Sequence, residues 1–330
     1  MFLNSYSEIN VNYFELLKPN EVDKSFNSNF KSNLYFVLGI PRWFFNGYPR
    51  KSLSKKGKLY LKLISDDNVK ISIPVTIVDN KGEPVKIEKI EVSRDERFLT
   101  LNGKLQYSAI DTMLNYEKFC PGFEVLYIGQ AQGKKHSRTA NDRLISHKTL
   151  QKIMSDVDQG ILEYEIRILT FSVKEKKIVT TLGDDLFQDS LSFSEVVKIS
   201  QDKERLAYYS ELIQKEMNTF PSSRSQINII EAKLINYFKP QYNIKFKNGS
   251  IPNRDHSSYE DYFQQHFNAM IINLSEFVKC SPFLECTFFT EHVNFNPGYQ
   301  IIDYAINSDK NSFESIMSYV GDANYYKEEI

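Results

Sequence analysis

A chain of 330 residues with 41 lysines and arginines against 42 acids carries a formal net charge of −1. That excludes a globally basic protein that binds nucleic acid over its whole surface. Apolar residues at 41% and charged residues at 25% are the mix of a globular fold with filled cores, not of a disordered chain.

Three cysteines, Cys120, Cys280 and Cys286, form no Cys-x-x-Cys pair, so neither a disulfide framework nor a zinc site is expected. The opening MFLNSYSEINVNYF lacks the basic start and apolar stretch of a signal peptide. No run approaches the roughly 18 apolar residues of a membrane span. The expectation is a cytoplasmic, reducing setting with no membrane contact.

In chain order, LYFVLGIPRWFF at 34–45 is apolar enough to be core and holds the sole tryptophan, Trp43. The period then changes to two. Leu59, Leu61 and Leu63 alternate with Lys58, Tyr60 and Lys62; Ile71, Ile73 and Val75 follow; Asp79-Asn80-Lys81-Gly82 signals a turn before Val85 and Ile87. These are β-strands joined by turns. Residues 1–105 read as a β-rich N-terminal domain. SAIDTMLNYEKF at 108–119 reads as a short helix, EVLYIG at 124–129 as a strand, and EYEIRILTFSV at 163–173 as another. Residues 140–154, 204–217 and 226–238 read as helices. The stretch Asn248-Gly249-Ser250-Ile251-Pro252 is a linker signal, and residues 251–330 read as a small α+β C-terminal domain with strands in NAMIINL, ECTFFTEHV and YQIIDYAI.

Two of the helices put polar residues on faces that should be buried. In the first, Thr139 and Asp142 form a variant capping box. At about 100° per residue, Ala140, Leu144, Leu150 and Met154 share a face with Arg143 and His147. In the second, Ile227, Ile230, Leu234, Ile235 and Phe238 form an apolar stripe with Glu231 near its centre. A carboxylate there must be paired, protonated or metal-bound. Pro240 stops that helix, and Asn243 follows. An Arg143–Glu231 ion pair is the bland account of both helices.

Taken together, these stretches resemble the GIY-YIG nuclease superfamily. Tyr127-Ile128-Gly129 is similar to the second half of the name-giving motif, Arg143 in RLISH to the family's helix arginine, and His147 to the histidine of one restriction-endonuclease branch. EAKLINYFKPQYN at 231–243 is similar to the metal-binding glutamate helix with its closing Pro-x-Tyr-Asn. The resemblance covers about 125 of the 330 residues. It implies an α+β fold, a small antiparallel sheet flanked by helices, over residues 106–250. The long gap from His147 to Glu231 implies an insertion near 174–225. The GIY half is not legible, and Tyr116 and Tyr107 both stand as candidates for the first tyrosine.

The implied activity is metal-dependent hydrolysis of nucleic-acid phosphodiesters by an endonuclease, on double-stranded DNA and in restriction or defence. The resemblance assigns a single Mg²⁺ or Mn²⁺ to Glu231, phosphate-oxygen contacts to Arg143, orientation of water or phosphate to Tyr127, proton acceptance to His147 and positioning to Asn243. Local charge agrees. Lys134, Lys135, Arg138, Arg143, Lys148 and Lys152 face only Asp142, and Lys233, Lys239, Lys245 and Lys247 lie in an acid-free stretch. Such strips suit phosphate backbones, with Lys134, Lys135, His136, Lys148 and Lys239 as the expected contacts. A homodimer would let single-strand nicking cut both strands. The alternative is a catalytically inactive nuclease fold that keeps only nucleic-acid binding.

Overall fold

A computed structural model describes residues 4–22, 32–47, 58–79, 81–116, 119, 122–130, 148–180, 201–217, 223–248, 267–279, 286–296 and 300–304. The fold is α+β and predominantly β. Its strands are β1 (Asn4–Leu17), β2 (Leu34–Pro41), β3 (Trp43–Phe45), β4 (Lys58–Ser65), β5 (Lys70–Thr76), β6 (Ile90–Val92), β7 (Phe98–Leu101), β8 (Leu105–Ser108), β9 (Gly122–Gln130), β10 (Tyr164–Thr180), β11 (Phe267–Asn273), β12 (Thr287–Phe289), β13 (Asn294–Phe295) and β14 (Gln300–Tyr304). Its α-helices are α1 (Ala109–Leu114), α2 (Lys148–Asp158), α3 (Lys203–Met217) and α4 (Ser223–Phe238). No described helix is long and apolar enough to cross a membrane.

Eight strands form one sheet in the order β13-β12-β9-β2-β10-β1-β11-β14, beside two three-stranded sheets, β3-β4-β5 and β6-β7-β8. The middle of the large sheet, β9-β2-β10-β1, is antiparallel. Parallel pairs, β12 with β9 and β11 with β1, extend it on both sides. The sheet is therefore larger than the small antiparallel one expected, and it is mixed. It takes β1 and β2 from before residue 105, β9 and β10 from the middle, and β11 to β14 from beyond residue 250.

Strand alternation divides the large sheet's two faces. On one face Phe36, Phe123, Ile128 and Phe171 are buried with Ile227, Ile230, Leu234 and Phe238 of α4. On the other, Tyr35, Val37, Leu126, Ile166 and Ile168 are buried with Leu150 and Ile153 of α2. The register of β2 against β9 shifts between Val37, opposite Tyr127, and Leu38, opposite Val125. Leu126 is the extra residue, and such a bulge turns two neighbours to one face. Leu126 and Tyr127 accordingly both pack on the α2 side.

The strands between β2 and β9 in sequence are fastened to the large sheet by a chain of charges. Arg167 of β10, 4% exposed, donates to Asp111 of α1 at 2.9 Å and pairs with Glu165 at 2.7 Å. Lys18 closes on Asp111 at 2.6 Å and Arg97 on Glu165 at 2.7 Å. The guanidinium is held between two carboxylates, the arrangement a buried cation requires.

Candidate functional site

Of the residues singled out in the sequence, Tyr127 belongs to the C-terminal half of β9, and Glu231 and Asn243 are bonded to it, Tyr127 lying on the α2 face of the sheet and Glu231 on the helix that covers the other face. Tyr127 is half-buried there. The strand paired with it is β2, which sets Tyr35 opposite Gly129. The Tyr35 and Tyr127 rings lie 6.0 Å apart, tilted by 38°. A Cβ on Gly129 would stand 2.7 Å from the Tyr35 hydroxyl and 2.8 Å from Cε1 of Tyr127. The glycine of Tyr-Ile-Gly is thus a space requirement: two tyrosines fill the volume a side chain would occupy. Tyr35 itself is buried, 2% exposed.

Neither candidate for the first tyrosine pairs with β9. Tyr107 belongs to β8, whose partner is β7. Tyr116 follows α1, where its amide donates to the Met113 carbonyl at 2.9 Å. Tyr35, the tyrosine that does lie across from β9, was not singled out in the sequence because two small sheets and a helix separate its strand from β9 there. The available signal was Leu34-Tyr35 opening an apolar strand.

Glu231 is half-buried on α4. Its carboxylate oxygen Oε2 accepts from Nε2 of Gln130, the last residue of β9, at 2.7 Å. The same amide donates to Oδ1 of Asn228 at 2.8 Å. Asn228 and Glu231 are three residues apart and so share a helix face. The five predicted stripe residues are all buried, and so are Ile229 and Ala232; the helix is covered nearly all round. Glu231 and Tyr127 reach the same end of β9 from the α4 and α2 sides respectively.

Asn243 is buried, 6% exposed, and its amide brackets one residue of β9. Its Oδ1 accepts from the Ile128 amide at 2.9 Å, and its Nδ2 donates to the Ile128 carbonyl at 2.9 Å. The Tyr242 amide donates to the Leu126 carbonyl at 3.0 Å. Among the described residues β12 pairs with β9 at residues 122–124, and the Pro-x-Tyr-Asn loop bonds the strand edge beyond it. Helix α4 ends in a left-handed Lys239, φ 49°, followed by Pro240, and Thr290 Oγ1 donates to the Phe238 carbonyl at 2.6 Å.

Tyr242 ties the loop to α2. Its hydroxyl donates to Oδ2 of Asp156 at 2.6 Å, and Lys152 pairs with the same carboxylate at 3.1 Å. The hydroxyl and the ammonium hold the Asp156 carboxyl below the usual aspartate range. Burial, and then the bond to Asp156, push the Tyr242 phenol well above its ordinary value. This clamp carried no recognisable sequence signal beyond the motif tyrosine.

Of the expected basic contacts, Lys148 is exposed at the start of α2 and Lys239 is half-buried. Lys233, counted in the acid-free strip, is buried, 6% exposed. Lys134, Lys135, His136, Arg143 and His147 lie outside the described residues. Among the described residues no group of three or more His, Cys, Asp or Glu comes together. A cation beside Glu231 could take that carboxylate with water or phosphate oxygens in the rest of its shell, a pattern Mg²⁺ accepts.

No family model, curated protein or solved structure matches the chain.

Proposed function

We propose that the chain is a metal-dependent endonuclease acting on DNA, resembling the GIY-YIG superfamily, with its site at the end of β9. The observation that carries this reading is the placement of Glu231. A carboxylate inside an otherwise covered helix is held by Gln130, one residue past Tyr-Ile-Gly, while Asn243 of the same helix's closing motif grips Ile128 within it. Two motifs far apart in sequence thus lock together at one strand end.

In this reading Glu231 would hold a single Mg²⁺ or Mn²⁺, which supplies Lewis-acid charge stabilisation and an activated water when bound. The rest falls to the chain's own groups. Tyr127, half-buried, orients the phosphate or the water. Tyr35 supplies the tyrosine of the paired strand, and its buried hydroxyl over Gly129 fits a positioning role. Arg143 and His147 keep the roles the resemblance implies, phosphate contact and proton acceptance. Gln130 fixes the carboxylate of Glu231, as outer hydrogen bonds fix metal ligands elsewhere. A second reading, a nucleic-acid-binding module without turnover, is favoured by the burial of Tyr35.

The test is nicking of supercoiled plasmid by the full chain with Mg²⁺, Mn²⁺ or chelator, beside Glu231→Ala. Metal-dependent nicking that the variant lacks supports the nuclease. Salt-sensitive DNA binding without any nicking supports the module instead.

A further inference from the structure

We infer that Ile244 is an apolar wedge that enters stacked base pairs of a DNA duplex next to the candidate site. The inference rests on the nucleic-acid reading of that site and deepens it by naming how the duplex is held. Ile244 is 94% exposed, the most exposed large apolar side chain among the described residues. Single exposed apolar residues are ordinary on protein surfaces. This one differs in how firmly its surroundings are fixed and in what flanks it.

Both neighbouring stretches of backbone are anchored. On one side Asn243 is bracketed to Ile128 and Tyr242 is bonded to Asp156. On the other, Phe246 packs against the main core, and Asn236 Nδ2 donates to the Phe246 and Lys247 carbonyls at 3.3 Å each. Lys247 Nζ crosses the loop to the Gln241 carbonyl at 3.1 Å. The chain is thereby held with a stiff β-branched side chain projecting into water.

The flanks are basic. Lys239, Lys245 and Lys247 lie in the loop with no acid between them, Lys245 exposed and the other two half-buried. Across the Tyr242–Asp156 clamp, α2 presents exposed Lys148, and exposed Lys152 whose ammonium is paired with Asp156. Lysines that neutralise phosphates around one protruding isoleucine form the pattern by which apolar side chains unstack and kink a duplex. The position suits the chemistry. Asn243, the residue before Ile244, grips the strand whose end holds Glu231, so a kink there would open the backbone beside the carboxylate.

The experiment uses the full chain in chelator, with B-form DNA duplexes carrying 2-aminopurine at successive steps, and compares wild type with Ile244→Ser and Ile244→Leu. Binding is followed separately by anisotropy of a labelled end across a salt series. The expected result is a severalfold rise in 2-aminopurine emission with wild type and Ile244→Leu. Ile244→Ser should lose the rise while keeping the same salt slope, because the lysines remain. Binding by wild type with no rise, or a rise that survives in Ile244→Ser, overturns the wedge and leaves the nuclease reading standing. Absence of any DNA binding overturns both.

Discussion

Tyr35 lies across the β2–β9 ladder from Gly129, and its hydroxyl stands 2.7 Å from where a Gly129 Cβ would be. The oxygen and the Tyr127 ring, 2.8 Å from the same point, leave no room for a methyl group. Gly129→Ala should therefore behave as overpacking, with a cost of about 1–3 kcal/mol in urea unfolding. Adding Tyr35→Phe removes the clashing oxygen, so the double variant should recover part of that loss. A strictly additive cycle would show that the two positions do not share this space.

Removal of Gln130 tests whether Glu231 needs its anchor. Gln130→Ala keeps the carboxylate but frees it to rotate. On the proposed nuclease reading, nicking should fall by roughly 10–100-fold, the usual effect of losing a partner behind a metal ligand, and the metal concentration for half activity should rise. Unchanged metal dependence would mean that the amide bond serves only the packing of α4.

The Asn243 bracket should be a matter of stability more than chemistry. Asn243→Ala leaves the Ile128 amide and carbonyl without their partner in a buried setting, at roughly 1–3 kcal/mol for an unsatisfied group. Asn243→Asp retains an acceptor for the amide but presents no donor to the carbonyl when ionised. It should unfold as easily or more easily near neutral pH, and its stability should rise as pH falls and the acid protonates. Equal stability of all three chains would remove the bracket's importance.

Acid sensitivity should trace to three aspartates, of which exposed Asp95 is held down by the Ser93 hydroxyl and the other two are tied into the fold. Asp156 is depressed by Tyr242 and Lys152. Asp111 is raised by burial, but Lys18 and Arg167 outweigh this and leave it depressed. A folded-state pKa below the unfolded value of about 3.9 gives stability that is present above that pH and lost as pH falls through the folded value. Urea midpoints measured from pH 6 downward should drop below about pH 4. Tyr242→Phe should flatten part of the drop while leaving the Asp111 share.

Much of the secondary structure was legible because its periods are plain. The alternation at Leu59, Leu61 and Leu63 became β4, with all three buried, and EVLYIG became part of β9. Strand partnership was not legible. Pairing of β2 with β9 joins residues far apart, and no local pattern encodes that. The division at residue 105 followed the end of the alternating strands and that at 250 a linker signal in the composition, yet the large sheet crosses both. At the site, Glu231 and Asn243 stood out because a carboxylate on an apolar stripe and an asparagine after a helix-ending proline are local anomalies. Gln130 and Tyr35 carry no such anomaly. The Leu126 bulge also hid the faces of β9, since an extra residue breaks the period of two on which face assignment depends.

The sheet order bears on how this chain can be made and cut. β2 lies between β9 and β10, and β1 pairs with β10 through residues as distant as Asn4 and Thr180. Folding is then dominated by non-local closure, which is slow and leaves strand edges open until distant segments arrive. A polypeptide begun at residue 106 would carry Tyr127, Glu231 and Asn243 but not the strand that joins β9 to β10. It would expose two unpaired edges in place of a core and should aggregate, so the residues of the site depend for their arrangement on the first forty residues of the chain.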